Sequence, residues 1–269
     1  KTNSRGKIIN ILKWLWFIAC AVILVVYLHC NLDNLLNSDM SSDLVHAQHL
    51  AEEGKWILSK DWYYSTEIKF IENQIVFAPL FLIFKSWQTV RIVGTLISMV
   101  LMLGALYILL KEIKLEKSFL WIAGCLLLPI TKEYFYVTQV GAFYIFTVLF
   151  SLLLIGFLLG MNKRQSKKEL FIKGAALLLI GFCAGTYGLR LILTVAIPLI
   201  ACMTVKFIMD IYSLEVSDRQ GLIVNLKDNS KYYISAVLAL TGMLAGLAFN
   251  FLYLERNYSF RTYSGLCWE

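Results

Sequence analysis

Charge is scarce in this chain, and the signatures of nucleotide and metal binding are missing. Asp, Glu, Lys and Arg make up 16% of the 269 residues, against about 25% in a soluble domain. Together with 59% hydrophobic residues and a mean hydropathy of +0.68, that deficit excludes an ordinary soluble globular protein. No GxGxxG, P-loop or HExxH pattern occurs, which argues against a nucleotide-driven enzyme in this stretch. The six cysteines, at 20, 30, 125, 183, 202 and 267, are scattered and none forms a CxxC pair. They indicate neither a metal site nor a disulfide framework. No internal repeat or low-complexity tract stands out.

What the chain has is apolar runs near the roughly 20 residues that a ~30 Å hydrocarbon core requires. The runs are continuous rather than alternating, so they are read as helices and not as barrel strands. The expected fold class is all-α and polytopic, with about seven spans. They fall near 11–30, 89–110, 118–137, 141–161, 171–189, 190–211 and 232–254, and 1–269 is read as a single membrane domain. A shorter run, 75–84, contains Pro79 and reads as re-entrant or interfacial. Lys1, Arg5, Lys7 and Lys13 precede the first run, as they would in a secretion signal. The run continues past Cys20 with no A-x-A site, so it is read as an uncleaved first helix. The chain opens on Lys1 and stops at Cys-Trp-Glu just after a polar stretch, and it reads as the N-terminal membrane part of a longer protein.

The net charge of +7 is explained by topology rather than by a nucleic-acid partner. With the N-terminus inside, the inner segments carry sixteen of the 25 basic residues and seven of the 18 acids. This is the positive-inside pattern, and it puts 31–88 and the segment after 254 outside. The expected location is a bacterial plasma membrane, with a cytoplasmic N-terminus.

The outer loop 31–88 is the longest polar excursion. Within it, Ser38 is a plausible N-cap, Asp39 sits in the first turn, and Met40, Leu44, Ala47 and Ala51 recur at helical spacing up to Gly54. The pattern predicts an amphipathic helix lying on the bilayer, followed by the aromatic cluster Trp62-Tyr63-Tyr64. Asp39, Asp43 and His46 fall at i, i+4 and i+7 on one helical face. Two carboxylates held close suit acid/base work, and a solvated charged face is the competing reading. His49 lies about 60° away from His46 on a helix, so the string is not assigned as a metal site and no cofactor is expected. A divalent cation bridging the carboxylates to a substrate phosphate is possible but has no support. Glu67 and Glu133 are further outer acids. Arg190, in the sequence Gly-Thr-Tyr-Gly-Leu-Arg, and Arg256 and Arg261 are outer cations able to grip a phosphate. For each of these, an interfacial or snorkelling charge is the alternative.

One span, then a large outer loop that opens with acids on a short helix, then many more spans: this resembles the GT-C superfamily of polytopic glycosyltransferases. The local match is SDMSSDLVHAQHLAEEGKWILSKDWYYSTE (38–67). It is similar to the first outer loop of bacterial lipid-A and O-antigen sugar transferases and of protein mannosyltransferases. There an acid starts an interfacial helix of the D-x(n)-A-x-x-L-x-x-G type. The likeness covers the first ~90 residues and, beyond them, only the pattern of spans. It implies transfer of a sugar from a polyprenyl-phosphate donor, drawn from among the membrane lipids, to a glycan, lipid or protein acceptor at the outer face. In that case Asp39 is the base, Asp43 an auxiliary acid, and Arg190, with Arg256 or Arg261, neutralises the leaving phosphate. Many members carry Asp-Glu at the first position, whereas here Met40 follows Asp39. The rival classes are a lipid or polymer transporter or flippase, and a non-catalytic membrane scaffold.

Overall fold

The computed structural model describes residues 2–35, 37–64, 68–140, 144–161, 166–212 and 230–260. Among them every regular element is helical, and the only bridge between extended segments joins Tyr64 to Phe260. The helices are α1 (Thr2–Leu35), α2 (Ser38–Glu52), α3 (Gln74–Phe81), α4 (Trp87–Glu112), α5 (Phe119–Leu127), α6 (Lys132–Gln139), α7 (Ile145–Met161), α8 (Lys167–Gly185), α9 (Leu189–Met209) and α10 (Ser230–Asn257).

Four of these helices are long and apolar enough to cross a membrane: Gly6–Leu32 within α1, α4, α9 and α10. A fifth crossing exists if α5 and α6, which meet at 95°, form one broken span. Among the described residues, four or five of the seven spans expected from sequence thus have a helix of sufficient length and apolarity, and the apolar helix Ile145–Met161 is shorter. The expected span 118–137 is broken because Pro129 forces the preceding residue out of the helical region: Leu128 is extended, with ψ of 135°. The carbonyls freed at the break are not left bare. The buried Gln139 amide donates to the carbonyls of Leu126 at 3.1 Å and Leu127 at 3.0 Å, and the Tyr134 hydroxyl donates to Leu126 at 2.5 Å. Such internal satisfaction is what non-helical backbone requires away from water. The run around Pro79 folds as α3, whose eight residues span about 12 Å and are too short to cross.

The chain forms two compact units, one of Lys1–Ser59 with Ile71–Leu149 and one of Lys60–Phe70 with Phe150–Glu269. In the first, α1 packs on α5, with Trp16 Nε1 donating to the Trp121 carbonyl at 3.2 Å. α2 packs on α3, and α3 on α4. In the second unit, α8 and α10 run parallel in a register offset by 64 residues. A Cβ added to Gly242 would meet the Leu178 carbonyl, one added to Gly246 the Phe182 carbonyl, and one added to Gly174 the Leu238 side chain. The crossing is made by two Gly-x-x-x-Gly motifs, Gly181/Gly185 and Gly242/Gly246, whose missing side chains let the backbones touch. Large apolar side chains such as Ile18, Val22, Val100, Leu193, Val205 and Leu244 face outward, as lipid contact demands.

Candidate functional site

The acid-bearing helix expected after the first span is present as α2. Its N-cap is Asn37 rather than Ser38: the Asn37 side chain accepts from the Met40 N–H at 2.9 Å. Met40, Leu44, Ala47 and Leu50 are buried. They are covered by protein, with α3 packed against the helix, and not by lipid as the sequence suggested. A helix fixed by packing holds its polar side chains more rigidly than one floating at an interface.

Asp39 is exposed in the first turn, and Asp43, one turn on, is half-buried. The two differ in what faces them. Asp43 and Glu72 are the anionic neighbours of Arg91, a guanidinium only 1% exposed. The Arg91 guanidinium carbon lies 5.1 Å from the Phe77 ring centroid, a cation–π geometry. Gly94, one turn below, permits this, because any Cβ there would strike the Phe77 ring. Thr95 and Ser98 continue the stripe at i+4 and i+7, both fully buried. α4 thus carries a polar seam turned into the protein, capped by a cation and flanked by two acids. Asn73, between Glu72 and α3, is 2% exposed.

His46 lies on the same helix, 9% exposed. Burial, and secondarily the proximity of His49, lower its pKa to about 4, with Glu53 opposing weakly. It is neutral at physiological pH. His49 pairs with Glu53 at 3.5 Å, and Glu53 also meets Lys55 at 3.2 Å, which closes the C-terminal end of α2. Among the described residues, no three His, Cys, Asp or Glu side chains converge to hold a metal ion.

Glu133 sits on the first turn of α6, which is capped by the Thr131 hydroxyl accepting from Tyr134 N–H at 3.0 Å. The Asn37 amide donates to the Tyr136 hydroxyl. That bond ties the start of α2, where Asp39 stands, to the segment that begins with Glu133. In the second unit, Arg190 is half-buried on the first turn of α9, after a turn in which Gly188 takes φ +66°. Beside it lies a cavity of about 210 Å³ whose lining includes Tyr187, Gly188, Leu189, Asn250 and Glu255. Asn250 is buried and donates to the carbonyls of Ile68 at 3.2 Å and Thr186 at 2.5 Å. It opens a π-helical segment, Asn250–Leu254, a distortion that often marks functional sites. Arg256 is exposed next to Glu255. Glu67 and Arg261 lie outside the described residues.

Sequence reasoning missed Arg91, Glu72, Asn250 and Glu255. A signal for Arg91 existed: it is a full charge inside an apolar run, followed by Thr95 and Ser98 at helical spacing. No known protein family, curated protein or solved structure matches this chain.

Proposed function

We propose that this integral membrane protein is a glycosyltransferase that moves a sugar from a polyprenyl-phosphate donor to an acceptor at the membrane surface. The observation that carries the reading is α2. It follows the first span directly, begins with an exposed carboxylate, and is held by packing on α3 and by a cap bonded to the segment that begins with Glu133. Asp39 acts as the base. It accepts the proton of the acceptor hydroxyl as that oxygen attacks the anomeric carbon and the C–O bond to the lipid phosphate breaks. Asp43, facing Arg91, is a positioning residue: it anchors the helix so that Asp39 stays in place. Glu133 adds a second carboxylate near the start of α2. Arg190 and Arg256, the phosphate-binding candidates of the sequence, belong to the second unit, and the assignment of the base does not rest on them. The donor carries its own activation, so the chemistry asks for no nucleotide site.

The bent pair α5–α6 is the feature that favours the runner-up, a lipid or polymer transporter, since transporters build their sites from broken helices. Reconstitution separates the two. The intact protein in liposomes, given a labelled polyprenyl-phosphate sugar and a candidate acceptor, releases polyprenyl phosphate if it is the enzyme. Movement of the labelled lipid between leaflets without sugar release supports the transporter instead.

A further inference from the structure

The parallel pairing of α8 and α10 has a consequence at their N-terminal ends. The offset of 64 residues that aligns Phe182 with Gly246 and Thr186 with Asn250 also aligns Lys167 with Lys231. Two ammonium groups therefore share one end of the pair, each on the first turn of its helix. A helix N-terminus carries about half a positive charge, so a cation there is placed against the dipole. The acid in that first turn is occupied: Glu169 closes the capping box of α8, accepting from Ser166 N–H at 3.0 Å. α10 has no acid in its first turn. Among the described residues, neither lysine has an ion-pair partner.

Below this cationic end, the same two helices border a groove of about 600 Å³. Apart from Lys167 and Lys231 its walls are apolar, formed by residues such as Phe171, Gly174, Ala175, Leu178, Ile234 and Leu238. Gly174 and Ala175, with little or no side chain, keep its floor low enough for a chain to lie along it. The volume falls within the range of small-ligand sites, about 300–1,000 Å³. An apolar trough in a membrane helix pair, headed by two cations, is complementary to one class of occupant, an amphiphile with an anionic head and a hydrocarbon tail.

We infer that this groove is a binding site for an anionic phospholipid, with the phosphate between Lys167 and Lys231 and an acyl chain along Gly174, Ala175 and Leu178. The site lies on other residues than those proposed for sugar transfer, and it stands whether or not that reading does. Its occupant seals the α8–α10 face and offsets the charge at the two helix N-termini.

Native mass spectrometry of the detergent-purified protein, titrated with phosphatidylglycerol or phosphatidylcholine, tests this. One phosphatidylglycerol is expected to bind in clear preference to phosphatidylcholine. Lys167→Gln and Lys231→Gln are each expected to weaken it about five-fold, and the double variant roughly 30-fold. Ala175→Phe, which places a ring in the trough, is expected to abolish the tight lipid. Lys111→Gln with Lys117→Gln, neither of which lines the groove, is expected to leave it unchanged. Removing a cation from a helix N-terminus does not weaken the helix, so the lysine variants remain folded and interpretable. Equal affinity for the two lipids, or undiminished binding in the double variant, overturns the proposal. So does displacement of phosphatidylglycerol by equimolar polyprenyl phosphate, which would make the groove a donor site.

Discussion

At the residue scale, the molecule turns on how Asp39 and Asp43 part company. They stand one turn apart on α2, yet one is exposed and the other faces a buried guanidinium. Removing Arg91 strands a neighbouring charge, the half-buried Asp43, which costs on the order of 1–3 kcal/mol. Arg91→Leu is therefore expected to destabilise the protein by that order, read as a fall in thermal midpoint in detergent. Adding Asp43→Asn to Arg91→Leu should recover part of the loss, because the stranded charge is then gone; a further fall of full size would contradict the pairing. His46 gives a pH signature. Its folded-state pKa of about 4 lies below the model-peptide 6.5, so the fold favours the neutral ring. Its contribution is complete above about pH 6.5 and is lost as pH falls toward 4, on the order of 3 kcal/mol in all. His46→Asn should flatten the stability profile across that window, measured by thermal denaturation at stepped pH.

The element scale shows how far the sequence carried and where it stopped. α2 was legible, acids and all, because Met40, Leu44 and Ala47 repeat at helical spacing and Gly54 ends the run. What covers its apolar face was not legible, since periodicity marks a buried face without naming the partner, and α3 takes the place expected of lipid. The break at 128–131 was hidden inside an apolar run of full span length, where hydropathy outweighs a single Pro129. Arg91 was lost in the same way, its charge diluted by the surrounding Val, Ile and Leu. The α8–α10 crossing was written plainly in Gly181, Gly185, Gly242 and Gly246, but glycine spacing acquires meaning only when a second helix is found to share it. A methyl group at Gly185 would sit 2.0 Å from the Met243 carbonyl, and one at Gly246 would sit 2.0 Å from the Phe182 carbonyl. Gly185→Ala and Gly246→Ala should each push the helices apart and cost roughly 1–3 kcal/mol. Gly104→Ala in α4 meets nothing within 4 Å and should instead stabilise by up to about 1 kcal/mol through helix propensity. Chemical or thermal melts of the three variants, compared side by side, check the contrast.

At the scale of the whole molecule, the apolar helices make this an integral membrane protein, and charge bias proposes which way it sits. If the N-terminus is inside, a cysteine placed at Lys60 in a cysteine-free background should react with an impermeant maleimide on intact cells. One at Lys117 should react only after permeabilisation; the reverse pattern would invert the proposed topology and remove α2 from the outer face. The proposed sugar transfer then rests on a single carboxylate. Asp39 is exposed, so replacing it with Asn should leave expression and thermal midpoint nearly unchanged while removing the proposed base. The decisive comparison is glycan and glycolipid profiling by mass spectrometry in cells whose only copy of the protein carries Asp39→Asn, beside cells with the unaltered chain. Loss of a specific sugar addition, at normal protein level, is the result expected of a polyprenyl-phosphate-dependent transferase. An unchanged profile at normal protein level would contradict it and return α2 to the role of a packed surface helix.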